Sequence, residues 1–147
     1  MIKKLELNAR LDWRDLEDER VATISLSPSD IDPLALSLCM LAQGVVDQVS
    51  LELNGGAVEF EKAGKKMSAR ALVRWSERSL RLLLSPSELE YLLAFALRTS
   101  RDGVAEVDHI DIEAAGETPS EKQGLIMLKF PISREPVSPE EALKRLG

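Results

Sequence analysis

The side chains of this chain that are best suited to chemistry begin with a basic stretch. Residues 62–81 contain seven lysines or arginines and one acidic residue. Alternate residues of a strand point to the same face, so Lys66, Arg70 and Arg74 would lie side by side, and Arg78 follows in the next turn. Arginine presents a rigid fork of donors that fits carboxylates and phosphates. The basic stretch therefore predicts a binding site for an acidic protein patch, a phosphate or a carboxylate ligand.

An acidic stretch follows and contains the only histidine. Residues 102–121 hold seven acidic residues and no lysine or arginine, and His109, Asp111 and Glu113 would share one strand face. An imidazole beside carboxylates can serve as a general base or a metal ligand. The same pattern is typical of a solvated strand in an acidic protein. If the basic and acidic strands are neighbours, their side chains could instead pair across the sheet. Each pair would stabilise the fold by a few tenths to about 1 kcal/mol.

The sequence contains no complete catalytic or metal-binding motif. One cysteine and one histidine cannot supply the four ligands of a structural zinc site. No serine lies in a G-x-S-x-G context, and no phosphate-binding loop or G-x-G-x-x-G occurs. Cys39 lies in an apolar run and reads as a buried, inert thiol. We therefore expect no catalytic residue, no metal and no cofactor.

Hydrophobic periodicity predicts strands and two helices. Apolar residues alternate with polar ones from Leu5 to Trp13, and the alternation recurs in several later segments. Trp13 and Trp75 both occupy apolar positions of this alternation and are expected to pack in the core. One helix is expected over residues 33–43, apolar on nearly every side. A second follows Ser85, where an N-cap serine, a proline and a glutamate three residues after the cap form a helix start.

Two parts of the chain resemble each other. The segment that begins at Leu26 recurs 58 residues later at Leu84, with a serine-proline turn and a helix after each. We predict duplicated strand-helix-strand halves, about 1–56 and 57–130, and a tail over 131–147 with a short helix. The predicted fold class is α+β: a mixed, mostly antiparallel sheet with two buried apolar helices. A symmetric dimer is one way to cover such helices.

Composition and charge limit the kind of partner. The 147 residues provide one domain, and the net charge of −6 argues against a general nucleic-acid or anionic-membrane surface. No segment has the length of a membrane span, and the single cysteine fits a reducing, cytoplasmic setting. The sequence favours a non-enzymatic protein-interaction module, such as an accessory or inhibitory subunit that neutralises a bacterial toxin. The alternative is a small anionic-ligand binder or enzyme, with Arg70 and Arg74 as the anion clamp and His109 as the base.

Overall fold

The chain folds into eight strands and two α-helices. The structure is a computed structural model that describes residues 1–64, 70–103 and 108–131. The tail helix expected within residues 131–147 and the predicted strand residues before Arg70 lie outside the described residues. The elements are, in order, β1 (Ile2–Asp15), β2 (Glu19–Ser25), a 3-10 turn (Pro28–Asp30), α1 (Ile31–Ala42), β3 (Gln48–Asn54), β4 (Gly56–Lys62), β5 (Ala71–Trp75), β6 (Ser79–Leu84), α2 (Pro86–Asp102), β7 (His109–Gly116) and β8 (Gln123–Lys129).

The strands close into a barrel in the order β1-β2-β8-β7-β5-β6-β4-β3. Four antiparallel hairpins, β1 with β2, β3 with β4, β5 with β6 and β7 with β8, alternate with four parallel pairs. The parallel pairs are β1 with β3, β2 with β8, β4 with β6 and β5 with β7. The predicted α+β fold class, with a mixed, mostly antiparallel sheet, was therefore wrong. The sheet closes into a barrel, and four of its eight strand pairs are parallel.

The pairing pattern has a two-fold character. Each pairing among β1–β4 has a counterpart among β5–β8, and the pairs β2 with β8 and β4 with β6 join the two sets. The predicted boundary at residues 56 and 57 falls at the first residues of β4, whereas the pairing groups β4 with the preceding strands. That the two sets arose by duplication stays a prediction.

The barrel interior is filled by every second residue of each strand. This alternation follows from the strand period of two, and it places small and large apolar side chains on the inside. Phe60, Ile24, Leu51, Leu82 and Ile126 are among the largest side chains with essentially no exposed surface. The same core cluster includes residues of both helices, so barrel and helices share one core.

Both helices lie at one end of the barrel and pack against each other. α1 connects the end of β2 to the start of β3, and α2 connects the end of β6 to the start of β7. These four strand ends all lie at the same end of the barrel. The Ser100 hydroxyl near the end of α2 donates to Asp32 in the first turn of α1, so the end of α2 lies beside the start of α1. The expectation that both helices are buried was also wrong: Leu36 of α1 is 61% exposed and Tyr91 of α2 is 55% exposed. Apolar composition alone does not say how many sides of a helix are covered.

The four hairpin turns lie at the opposite end, where two tryptophans meet. The ring centroids of Trp13 and Trp75 are 6.2 Å apart in an edge-to-face arrangement. The indole N–H of Trp13 donates to the Gly55 carbonyl and that of Trp75 to the Lys122 carbonyl, so each tryptophan is tied to a turn. Both tryptophans pack against the core.

Candidate functional site: a charged groove beside β7

A groove opens between the residue before β5, the outer face of β7 and the first turns of α2. Its volume is about 720 Å³. The lining residues are Arg70, Ser87, Glu88, Tyr91, Asp111, Ile112 and Glu113. The described lining thus combines one guanidinium, three carboxylates, the phenol ring of Tyr91 and the hydroxyl of Ser87.

Strand geometry places the charged residues of the groove. β7 alternates between inward and outward side chains, so Ile112 is buried while Asp111 and Glu113 point outward. β5 and β7 pair in parallel, with Ala71 opposite Ala114. The residues that precede these two, Arg70 and Glu113, therefore lie side by side. The predicted neighbourhood of the basic and acidic strands therefore exists at this point.

The helix side of the groove is fixed by the start of α2. The Ser85 hydroxyl accepts a hydrogen bond from the Glu88 backbone N–H at 3.3 Å and donates to the Glu88 carboxylate at 2.8 Å, a capping arrangement that satisfies free N–H groups of the first turn. Ser87 and Tyr91 follow one helical turn apart and reach the groove. The start of α2 was predicted correctly from the serine, the proline and the glutamate.

The carboxylates of the groove form no ion pair with the described residues of the neighbouring strand β5. Among the described residues, no ion pair joins Arg70 to Asp111 or Glu113, and the side chain beside the Asp111 carboxylate on β7 is the imidazole of His109, whose Nε2 lies 3.8 Å from Oδ1. Nearby carboxylates at partly exposed sites repel one another and attract cations. Among the described residues that line it, the groove therefore has three carboxylates and one positive group, Arg70.

His109 lies outside this groove. Its Nδ1 is 2.8 Å from the Asp108 carboxylate, and its side chain is 37% exposed. Within the described parts of the chain, no three His, Cys, Asp or Glu residues are grouped so that they could hold a metal ion. The structure thus places His109 between two carboxylates on an open strand face.

Arg74 and Arg78, the other two predicted basic residues that the structure describes, do not line the groove. Arg74 is exposed on β5 directly opposite Arg81 of β6, and the guanidinium of Arg81 binds Glu61 at 2.6 Å. Arg78 is exposed in the turn before β6. Lys66 lies outside the described residues. Of the predicted basic residues that the structure describes, Arg70 lines the groove, while Arg74 and Arg78 lie elsewhere.

Two shifted pKa values belong to ion pairs away from the groove. The hydrogen bond from Arg81 to Glu61 raises the pKa of the Arg81 guanidinium. The hydrogen bond from Arg101 lowers the pKa of the Asp102 carboxyl, which is exposed at the end of α2. Both shifts favour the charged forms that these groups already have at neutral pH.

Sequence reasoning did not identify the helix residues of the groove. Tyr91 is the single tyrosine of the chain, and it lies off the apolar face of α2 formed by Leu89, Leu92 and Ala96. An exposed aromatic residue on the polar side of a helix was the available signal. Ser87 and Glu88 were interpreted only as parts of the helix start.

In the described ranges, neither helix has the length and apolar character that crossing a membrane requires. No protein-family model and no curated protein matches the chain.

Proposed function

We propose that this protein is a non-enzymatic protein-interaction module that binds a basic segment of a partner through the groove beside β7. The observation that carries the proposal is the excess of carboxylates over cations among the described residues that line the groove: Glu88, Asp111 and Glu113 against Arg70. Complementary charge increases the rate of encounter and selects among partners. An accessory or inhibitory subunit, for example one that neutralises a basic toxin, would use such a surface.

The shape of the groove supports recognition of long basic side chains. Lysine and arginine carry an apolar stem below the charged head. The exposed ring of Tyr91 offers a surface for the stem or for the cation itself, and Asp111 and Glu113 lie where the charged head would arrive. Arg70 would meet an acidic residue of the same partner.

Zero-length carbodiimide cross-linking tests the proposal, because the reagent joins carboxylates to lysine amines. We expect cross-linked partner peptides at Asp111 or Glu113, and loss of these cross-links in the variant Asp111→Asn/Glu113→Gln. The matched control is Glu17→Gln/Asp18→Asn, which removes two charges from the exposed β1–β2 turn at the opposite end of the barrel. Equal loss of partner in the control and in the groove variant would contradict the proposal.

The alternative, an anionic-ligand binder or enzyme, has less support. Three carboxylates around one arginine repel a small anion, and neither Arg74 nor His109 is among the described residues that line the groove. A thermal shift with inorganic phosphate or citrate distinguishes the two functions. Stabilisation that disappears in Arg70→Ala/Arg74→Ala would favour the alternative.

Two further expectations stay predictions. A homodimer would cover the exposed Leu36 on α1, and light scattering at micromolar concentration tests it. A cytoplasmic location is tested by fractionating the source cell.

A further inference from the structure

One arginine fills the space between the two tryptophans at the hairpin end of the barrel. The Arg20 guanidinium carbon lies 4.4 Å from the Trp13 ring centroid and 5.2 Å from that of Trp75. Its two terminal nitrogens donate to the Ser76 and Glu77 carbonyls, at 2.9 and 3.2 Å. Its Nε is buried without a hydrogen-bond acceptor, 3.3 Å from the Asp15 carboxylate. Arg20 thus joins the first hairpin to the turn between β5 and β6.

A second arginine occupies the equivalent position in the other half of the barrel. Arg20 and Arg78 each stand two residues before the residue that pairs with a tryptophan; the pairs are Trp13 with Ala22 and Trp75 with Leu80. Each tryptophan is also followed two residues later by an acid, Asp15 or Glu77. Both halves therefore contain a tryptophan, an acid and an arginine in the same order.

The two arginines differ in their surroundings. Arg78 is exposed and forms no ion pair with any described residue, whereas Arg20 is held between the rings. The first hairpin continues two residue pairs beyond Trp13, as far as Asp15 with Arg20, while the second ends its pairing at Trp75 with Leu80. The longer hairpin holds Arg20 in regular strand structure, and the shorter one leaves Arg78 in the turn.

We propose that Arg20 and Arg78 compete for one guanidinium position between the tryptophans, and that Arg78 enters it when Arg20 leaves. Only one of them can occupy the position, because two guanidinium groups placed in one site repel each other. A depression of about 520 Å³, lined in part by Asp15, Arg20, Trp75 and Glu77, opens beside the position. This space gives the Arg20 side chain a way out to solvent. Arg78 stands in the same turn as the Ser76 and Glu77 carbonyls that bind the Arg20 guanidinium, which puts Arg78 beside the vacated position.

NMR of the arginine Nε–H groups tests the exchange directly. In the wild-type protein, we expect one Nε–H signal that is shifted by the indole rings and exchanges slowly with water, that of Arg20. In Arg20→Ala, a shifted signal should reappear and be assigned to Arg78, and it should be lost in Arg20→Ala/Arg78→Ala. Only solvent-like Nε–H signals in folded Arg20→Ala would overturn the proposal.

A double-mutant cycle in thermal unfolding provides the second test. We expect Arg78→Ala to change the Tm by less than about 1 °C and Arg20→Ala to lower it by about 3 °C. The double variant should lose at least twice the sum of the single losses, because no guanidinium remains for the position. Additive losses, or an Arg20→Ala protein that cannot fold while Arg78 is present, would show that Arg78 is no substitute.

Discussion

Replacing Asp30 with alanine should destabilise the protein more than any other single change at the start of a helix. Asp30 is 2% exposed, and it lies just before α1. Its Oδ1 accepts the Asn8 backbone N–H at 2.8 Å, and its Oδ2 accepts the backbone N–H and the hydroxyl of Ser27, each at 2.9 Å. One carboxylate therefore joins β1 to the turn before the helix.

The magnitude follows from the groups that would lose their partner. Asp30→Ala leaves two backbone N–H groups without an acceptor. Each such group lowers the free energy of unfolding by about 1–3 kcal/mol when it is buried. Asn8 is exposed and Ser27 is partly exposed, so water replaces some of the lost bonding, and we expect a loss of about 3 kcal/mol. For a chain of this length that loss corresponds to a decrease in Tm of roughly 6–12 °C.

Urea denaturation monitored by circular dichroism measures this loss as a change in midpoint at constant slope. The matched control is Glu88→Ala at the corresponding position before Leu89 of α2. The Glu88 carboxylate accepts a hydrogen bond from the Ser85 hydroxyl, and the hydroxyl keeps its bond to the backbone in the variant. We expect a loss below about 1 kcal/mol for the control. If Asp30→Ala costs no more than Glu88→Ala, the buried carboxylate does not have the linking role assigned to it.

Two further predictions concern packing and use the same unfolding measurement. In Gly124→Ala the new Cβ would stand 2.5 Å from the Trp75 ring. We therefore expect overpacking to lower the free energy of unfolding by about 1–3 kcal/mol and to change the tryptophan fluorescence spectrum. Unchanged stability would mean that the ring moves freely. Phe60→Ala removes a side chain with no exposed surface and should lower the free energy of unfolding by about 3–5 kcal/mol. Leu36→Ala changes a site that is 61% exposed and should change the free energy of unfolding by no more than about 0.5 kcal/mol. Similar losses in the last two variants would contradict the assigned core.

The local elements could be predicted because their signals are local. The alternation of apolar and polar residues predicted β1, and the capping residues Ser85 and Gly103 mark both ends of α2 as observed: Ser85 accepts a hydrogen bond from the first turn and Gly103 adopts φ 73°. Glycine reaches this left-handed conformation without the steric cost that a Cβ imposes. Such features depend only on neighbouring residues.

Closure of the sheet could not be predicted from the same pattern. The period of two says which side chains of β2 face inward, but it does not say that β2 will pair with β8, about a hundred residues later, in parallel. An open sheet and a barrel place the same residues inside. The four parallel pairs depend on long-range packing, which no single segment contains.

The candidate site was predicted only in part, for a related reason. Arg70, Asp111 and Glu113 carry strong local charge signals, and the pairing of β5 with β7 brings them to one groove. Arg74 shares the strand face of Arg70 but lies farther along β5, opposite another arginine. Tyr91 comes from a helix, so its place in the groove depends on how α2 packs at the end of the barrel.

The way in which the two sets of strands are joined has a consequence for fragments of this chain. β2 and β4 each find their outer partner in the second set, β8 and β6. A fragment of β1–β4 alone would expose two unpaired strand edges, and such edges are templates for pairing with another molecule. Two fragments, or two full chains that exchange their halves, could satisfy those edges mutually. The protein is therefore suited to complementation by separately expressed halves and is exposed to domain swapping at high concentration.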